Sequence, residues 1–326
     1  MNEKRANLLA SIVIPTFRRN DGLRRAVKSV LALPDDAISR CEIVIADNSP
    51  ERTAEAAVRE LGDNSPIPVI YVWAGEPGVA NARNAGVKAA STPLIAFIDD
   101  DETACEGWLD NLLKTREQFE ATVVFGPVRG VVPESVKVRR GYFEAFFSRK
   151  RSGVSGPIGK FYGCGNALLD LDRIALCLEP GAPWFLKSSN ETGGEDDFLF
   201  EQVKSAGGVF AWAADAVVNE VVPVDRARLA YTLHRAFGYG QGPATLCWRR
   251  RPPDFPGVAY WMGAGAAQFV LCALIAAGLW CVRAPQHAIM LDKAARGLGK
   301  LLWFEPFKAR FYGATAARKT KPQQIG

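Results

Sequence analysis

Along the first 130 residues, short apolar runs alternate with stretches whose apolar positions recur every three or four residues. The runs at 11–14, 42–46, 67–72, 94–98 and 122–125 predict strands. Between them, residues 21–31, 51–61, 79–90 and 108–120 carry the helical period, with Asp21 placed to cap the first and Gly78-Val79 opening the third. Strands alternating with helices predict an α/β fold with a mostly parallel sheet covered on both faces. Such sheets take ligands beyond the carboxyl ends of their strands. Polar residues just after each run are therefore the first candidates for chemistry.

The pattern loosens over residues 131–185, where Gly, Pro and basic residues mix with Tyr142, Phe143, Phe146, Phe147, Phe161 and Tyr162. That composition suits a wall over the sheet's open edge. A helix over 195–205 stops at Gly207-Gly208, and a strand is expected at 209–212. Residues 255–282 are 28 consecutive uncharged positions, more than the roughly 20 needed to cross a bilayer core. Gly263, Gly265 and Gly278 suit close helix packing there. A buried helix of the globule is the plainer alternative, but Arg249, Arg250 and Arg251 precede the stretch and a basic tail follows it, which favours a membrane. A single crossing would leave one basic cluster outside, against the positive-inside tendency. A re-entrant or interfacial hairpin would keep both on an anionic cytoplasmic surface. Residues 288–311 support that, because Leu291, Leu298, Leu301, Leu302, Trp303, Phe307 and Phe311 are interspersed with Lys293, Arg296, Lys300 and Lys308. The expected organisation is an α/β domain over 1–254 and a membrane-associated helical region with a basic tail over 255–326.

Composition sharpens this picture in three places. With 48% hydrophobic and 23% charged residues, the chain is a folded protein and not a disordered or fibrous one. Of the net charge of +5, residues 283–326 carry +7 and residues 1–254 the remaining −2. Nucleic-acid binding is not expected, since the basic excess lies beside the apolar span and not on the α/β body. Seven cysteines without a CxxC pair suit a reducing compartment. With two histidines in all, His234 and His287, neither a Ser-His-Asp triad nor a His-based zinc site has much to work with. Lys4 and Arg5 before an apolar stretch faintly resemble a secretory leader. That stretch contains Asn7 and Ser11 and runs into Pro15, so a first strand is expected instead.

Four segments carry candidate chemistry. Leu94-Ile-Ala-Phe-Ile-Asp99-Asp100-Asp101-Glu102 is an apolar strand ending in four carboxylates. Like charges packed together call for a cation, and carboxylate oxygens suit Mg²⁺ or Mn²⁺. In isolation such a run is more often a solvated turn. Asp47-Asn48-Ser49 follows a second strand, where a carboxylate could meet a nucleotide base or simply shape a turn. Ala82-Arg83-Asn84 sits in a helix of small residues, and Arg83 could meet a base or phosphate. Gly194-Glu195-Asp196-Asp197 opens a helix, where acids are favoured by the dipole whatever the function. One of them could equally serve as a general base.

In this order and spacing the segments resemble family 2 glycosyltransferases, inverting enzymes of the GT-A fold. The likeness covers residues 9–219. Its closer wording, Phe97-Ile-Asp-Asp-Asp-Glu102 followed by Trp108-Leu109, is similar to bacterial exopolysaccharide glucosyltransferases of the succinoglycan type. The resemblance implies that Pro15 and Thr16 form a nucleotide-binding turn, Asp47 meets uracil, and Arg83, Asp99 and Asp100 help hold the donor. It implies a divalent metal, Mg²⁺ or Mn²⁺, on Asp101 with Asp99, and Asp196 as the catalytic base. Gly165 and Asn166, in Gly163-Cys-Gly-Asn166-Ala-Leu, would close the acceptor side together with Glu195. The implied partners are a nucleotide diphosphate sugar, a polyprenyl-diphosphate-linked acceptor and an anionic membrane surface, at the cytoplasmic face of a bacterial inner membrane. The Gln-x-x-Arg-Trp motif of processive synthases is missing: Gln241 is followed by Gly-Pro-Ala-Thr, and Trp248-Arg249 stands in reversed order. A transferase adding one sugar per acceptor is therefore expected.

Two other classes remain open on sequence. A sugar-nucleotidyltransferase also uses metal-binding aspartates, but Pro15-Thr-Phe-Arg-Arg-Asn20 stands where its glycine-rich loop is expected. A non-catalytic membrane-bound partner protein would be expected to lose its acidic motifs, yet Asp99, Asp101 and Asp196 all stand.

Overall fold

The computed structural model describes residues 8–34, 36–151, 153–179, 181–187, 194–250 and 252–311. Met1–Arg129 and Ser148–Val221 form one compact unit; Gly130–Phe147 and Val222–Gly326 form another. In chain order the first half contains β1 (Ala10–Thr16), α1 (Asn20–Leu31), β2 (Cys41–Asp47), α2 (Glu55–Asp63), β3 (Val69–Trp73), α3 (Val79–Ala89), β4 (Leu94–Phe97), β5 (Glu102–Ala104), α4 (Trp108–Gln118), β6 (Val123–Phe125), β7 (Val128–Val131) and α5 (Arg140–Phe147). There follow β8 (Gly156–Ile158), β9 (Ala167–Asp170), α6 (Leu171–Ala175), α7 (Glu195–Ser205), β10 (Phe210–Trp212), β11 (Val218–Val221), α8 (Leu229–Arg249), α9 (Phe255–Cys281) and α10 (His287–Leu301).

The main sheet of the α/β unit has the order β3-β2-β1-β4-β9-β6-β10-β8. Strands β3, β2, β1 and β4 are parallel, as are β6 and β10, while β9 and β8 run against their neighbours. Both faces are covered, which is why the strands read as unbroken apolar runs. Ile12, Ile14, Ile43 and Ile45 face Leu23, Val27 and Val30 of α1 in one core layer. Val13, Val44, Ile95 and Phe97 point the other way, into a layer with Val87 of α3 and Leu199, Phe200 and Val203 of α7. Each such side chain stabilises the fold by about 1.5–3 kcal/mol when fully buried. A small second sheet has the order β5-β11-β7.

Part of the stretch 131–185, expected to wall the sheet's open edge, is itself sheet. Strand β9 lies inside the main sheet, between β4 and β6. Phe161 and Tyr162 are half-buried and pack against Phe125, Phe200, Phe210 and Trp212 of the core. Four residues after a glycine-rich loop are too few to declare a strand by periodicity, and pairing on both sides supplies what propensity lacks.

The helical unit contains α5, α8, α9 and α10. Helix α8 escapes a reading by pattern because Pro243 lies inside it, close to Gly238, Gly240 and Gly242. Packing overrides these breakers. The Gln241 amide donates to the carbonyls of Leu302 at 2.7 Å and Phe307 at 3.0 Å, and its oxygen accepts the Ala309 N–H at 3.0 Å. Tyr142 of α5 donates to Thr232 at 3.0 Å, and Phe146 stacks on Tyr239. Helix α8 is thus bound to α10, and both fall in the compact unit that includes Val222–Gly326. Of the amphipathic stretch expected over 288–311, His287–Leu301 is helical.

Candidate active site

Helix α3 carries the charge on which the site is organised. Arg83 is buried, its Nη1 in a close ion pair with Glu195 and 3.6 Å from Asp196 Oδ2, and its Nη2 3.5 Å from Asp99 Oδ1. Burial works against the Arg83 charge, but the Glu195, Asp99 and Asp196 carboxylates outweigh it and raise its pKa. Burial and the adjacent Asp196 push Glu195 up to about 8 against the pull of Arg83. The next residue, Asn84, clamps the backbone of Phe185, donating to its carbonyl at 2.8 Å and accepting its N–H at 3.1 Å. The Phe185 and Phe97 rings then lie against the guanidinium.

Asp196 opens α7 and is held by two backbone amides. Its Oδ2 accepts the Cys164 N–H at 2.8 Å, and its Oδ1 accepts the Asp197 N–H at 3.0 Å. The Cys164 loop is fixed from behind by Arg149, which donates to the carbonyls of Gly126 at 2.9 Å, Gly163 at 2.8 Å and Asn166 at 2.8 Å, and to that of Gly165. Gly165 is required by close approach: a Cβ there would stand 2.8 Å from Asp99 Oδ2. Thr192 and Gly193, which precede this motif, lie outside the described residues.

At the end of β1, Thr16 donates to Asp100 Oδ2 at 2.9 Å. Pro15 is buried in β1 opposite Ala46. Arg19 bridges Asp100 at 2.9 Å and Asp101 at 2.8 Å. Burial alone would lower the Arg19 pKa, and these two carboxylates raise it instead. Burial pushes Asp100 up to about 6 and also raises Asp101, in both cases against the pull of Arg19. Glu102 turns inward, where its Oε2 accepts the Asp99 N–H at 2.9 Å and tightens the acidic turn.

Two expected site residues are engaged elsewhere. Asp47 is fully buried, and both its oxygens are used in shaping the turn. Oδ1 accepts the Ser49 N–H at 2.8 Å and hydroxyl at 2.6 Å; Oδ2 accepts the Ala54 N–H at 2.9 Å and the Tyr71 hydroxyl at 3.3 Å. It braces the turn after β2. Asn166 is also fully buried. Its amide donates to Pro127 and Ala216 carbonyls at 2.7 and 2.8 Å and accepts from Trp108 Nε1 at 2.8 Å, so it anchors the loop. Conversely, Arg19, Asn84, Arg149 and Phe185 have structural parts in the site that no residue-by-residue reading assigned. Arg19 and Arg149 each sit in short basic runs, Arg18-Arg19 and Arg149-Lys-Arg151, that look like ordinary surface.

Among the described residues, no group of three or more His, Cys, Asp or Glu side chains converges as a ready-made metal cage. The donor set still fits a hard divalent cation. Asp99 is 35% exposed and only loosely tied to Arg83, Asp101 is desolvated beside it in the same turn, and one or two carboxylates with substrate phosphates and water are what Mg²⁺ or Mn²⁺ takes.

The family model for glycosyl transferase family 2 matches residues 11–173, the segment containing Arg83 and the acidic turn. The chain belongs to that family. It is 34% identical over 232 residues to the succinoglycan biosynthesis protein ExoM of Rhizobium meliloti (strain 1021), covering 71% of this chain and 72% of the relative. It is 30% identical over 175 residues to the minor teichoic acid biosynthesis protein GgaB of Bacillus subtilis (strain 168), covering 53% of this chain and 17% of that one. Its fold is similar to that of the mannosyltransferase PcManGT from Pyrobaculum calidifontis, solved with GDP-Man and Mn²⁺. That match has a TM-score of 0.61 at 17% identity and covers 90% of this chain and 87% of the other. The family member thus has a GT-A-like α/β fold with a mostly parallel central sheet, as expected from its sequence.

Proposed function

We propose that this family 2 member is an inverting, non-processive glycosyltransferase. It moves one sugar from a UDP-linked donor to a polyprenyl-diphosphate-linked saccharide during cell-surface polysaccharide synthesis, at the cytoplasmic face of the bacterial inner membrane. The observation that carries this reading is the convergence on Arg83 of Asp99, on the donor side, with Glu195 and Asp196. The names of ExoM and GgaB support the polysaccharide setting.

In the mechanism, Asp196 accepts the proton of the acceptor hydroxyl as that oxygen attacks the anomeric carbon. The two backbone N–H groups on its carboxylate orient it and leave each oxygen a further lone pair for the incoming proton. Arg83 holds positive charge between donor and base, where negative charge develops on the departing diphosphate. Asp101 and Asp99 would hold Mg²⁺ or Mn²⁺, which when bound supplies Lewis-acid neutralisation of the leaving group. Thr16 and Arg19 fix the acidic turn, while Phe97 and Phe185 shield Arg83 from water. A single in-line displacement from an α-linked donor gives a β-glycoside.

The test is nucleotide release by detergent-solubilised protein offered a panel of UDP-sugars with lipid-linked saccharide acceptors, with and without Mn²⁺ or Mg²⁺. One donor should give metal-dependent UDP release that Asp101→Ala abolishes. If no UDP-sugar were turned over and none shifted the melting temperature with metal present, the reading would fall.

A further inference from the structure

Helix α9 turns most of its apolar surface outward. Its most apolar 18-residue window has a mean hydropathy of 1.9, yet only 17% of that window is buried. The buried positions Gly265, Cys272 and Ala276 form one stripe, because steps of seven and eleven residues return to the same side of a helix. Val270, Leu271 and Leu274 lie away from that stripe and are exposed. Surfaces in water rarely carry a contiguous apolar face of this kind without a partner.

What stands behind the stripe identifies the partner. Helix α10 packs on α9 so closely that a Cβ on Gly265 would come within 2.7 Å of the Gly297 carbonyl oxygen, and one on Gly297 within 2.6 Å of the Phe269 nitrogen. Midway along α9, Gln268 donates to the Lys293 carbonyl at 2.7 Å and accepts from the Lys300 ammonium at 2.7 Å. Lys300 also lies over the Trp261 ring, and the same helix carries the Arg296–Asp292 ion pair. If α9 crossed a bilayer, its midpoint would sit near the hydrocarbon centre and carry Lys300 and α10 with it. An ionised lysine at that depth is strongly unfavourable. Laid along the surface, α9 immerses its outer face and leaves α10 among the headgroups. The charge matches an anionic surface, with nine Lys/Arg between Arg249 and Arg310 against three Asp/Glu.

We infer that α9 and α10 form a one-leaflet hairpin on an anionic lipid bilayer, with Val270, Leu271 and Leu274 at the acyl boundary and Lys293, Arg296 and Lys300 on the aqueous side. The inference rests on the membrane part of the proposed function and not on its transfer chemistry. Two measurements separate the claims. In sedimentation with sealed vesicles, the full chain should bind phosphatidylcholine containing phosphatidylglycerol at least tenfold more tightly than phosphatidylcholine alone. Leu271→Asp with Leu274→Asp should lose at least tenfold of that binding with an unchanged melting temperature. Absence of binding to the anionic vesicles would overturn the membrane reading and the hairpin together. In oriented membrane vesicles, an impermeant maleimide should label Cys281 and a Pro253→Cys variant, at the two ends of α9, from the cytoplasmic side only; Cys281→Ser provides the background. Labelling of the two ends from opposite sides would show a spanning helix, overturning the hairpin while leaving membrane association intact.

Discussion

The two units break the ordinary rules of burial in opposite ways. In the α/β unit the anomaly is charge taken out of water: Arg83, Glu195, Asp196, Asp100 and Glu102 are all buried. In the helical unit it is apolar surface left in water, since Leu271, Leu274 and Trp280 of α9 are exposed. Each arrangement costs free energy, and in each the cost marks where another molecule is meant to complete the structure. Under the proposed function the first is completed by a charged, hydrogen-bonding substrate and a cation. The second calls for something oily and broad. The mismatch between residue type and environment marks both places.

The contrast is broken most severely at the base. Asp196→Asn keeps the shape of Asp196 but can accept only one of its two backbone N–H donors and cannot take a proton, so acceptor-dependent turnover should fall by about 10²–10⁴-fold. Donor affinity, measured by calorimetry, should change little. A comparable loss of donor affinity would make Asp196 a binding residue instead.

Next in size is the buried ion pair. Arg83→Met leaves Glu195 buried beside Asp196 without its counter-charge, at a cost of about 3–5 kcal/mol in unfolding free energy. Combining it with Glu195→Gln should restore much of that stability, by chemical denaturation, without restoring turnover. Recovery of both would show that the charges serve folding alone.

A smaller loss is expected at the anchor behind the loop. Asn166→Ala leaves Trp108 Nε1 and the Pro127 and Ala216 carbonyls without their partner, costing about 1–3 kcal/mol. Because its amide is already held by three protein partners, the KM for acceptor should move far less than the melting temperature does.

The smallest effect lies on α9. Leu274→Ser should change unfolding free energy by no more than about 0.5 kcal/mol, because its side chain has little contact to lose. A large destabilisation would mean that the outer face of α9 is covered by protein.

The parts of this design that could be read from sequence share a physical reason. Central strands buried on both faces must be apolar throughout, so β1, β2 and β4 stood out, and the carboxylates after β4 were conspicuous against them. Burial direction was not readable. Asp47 and Asp99 both follow apolar strands, yet the fold turns one into a tight cap and leaves the other partly open. Arg149 looked like its basic neighbours, because only the folded loop brings four carbonyls to one guanidinium. Helix α8 was hidden by its own glycines and proline, which contacts with the end of α10 outweigh.

Under the proposed function the buried charges around Arg83 and Asp196 perform one direct displacement at the anomeric carbon. The most direct test is the configuration of the new linkage, read from the anomeric proton coupling in the NMR spectrum of the product made from an α-linked donor. A β-linked product is predicted. An α-linked product would require retention, and with it a different role for Asp196.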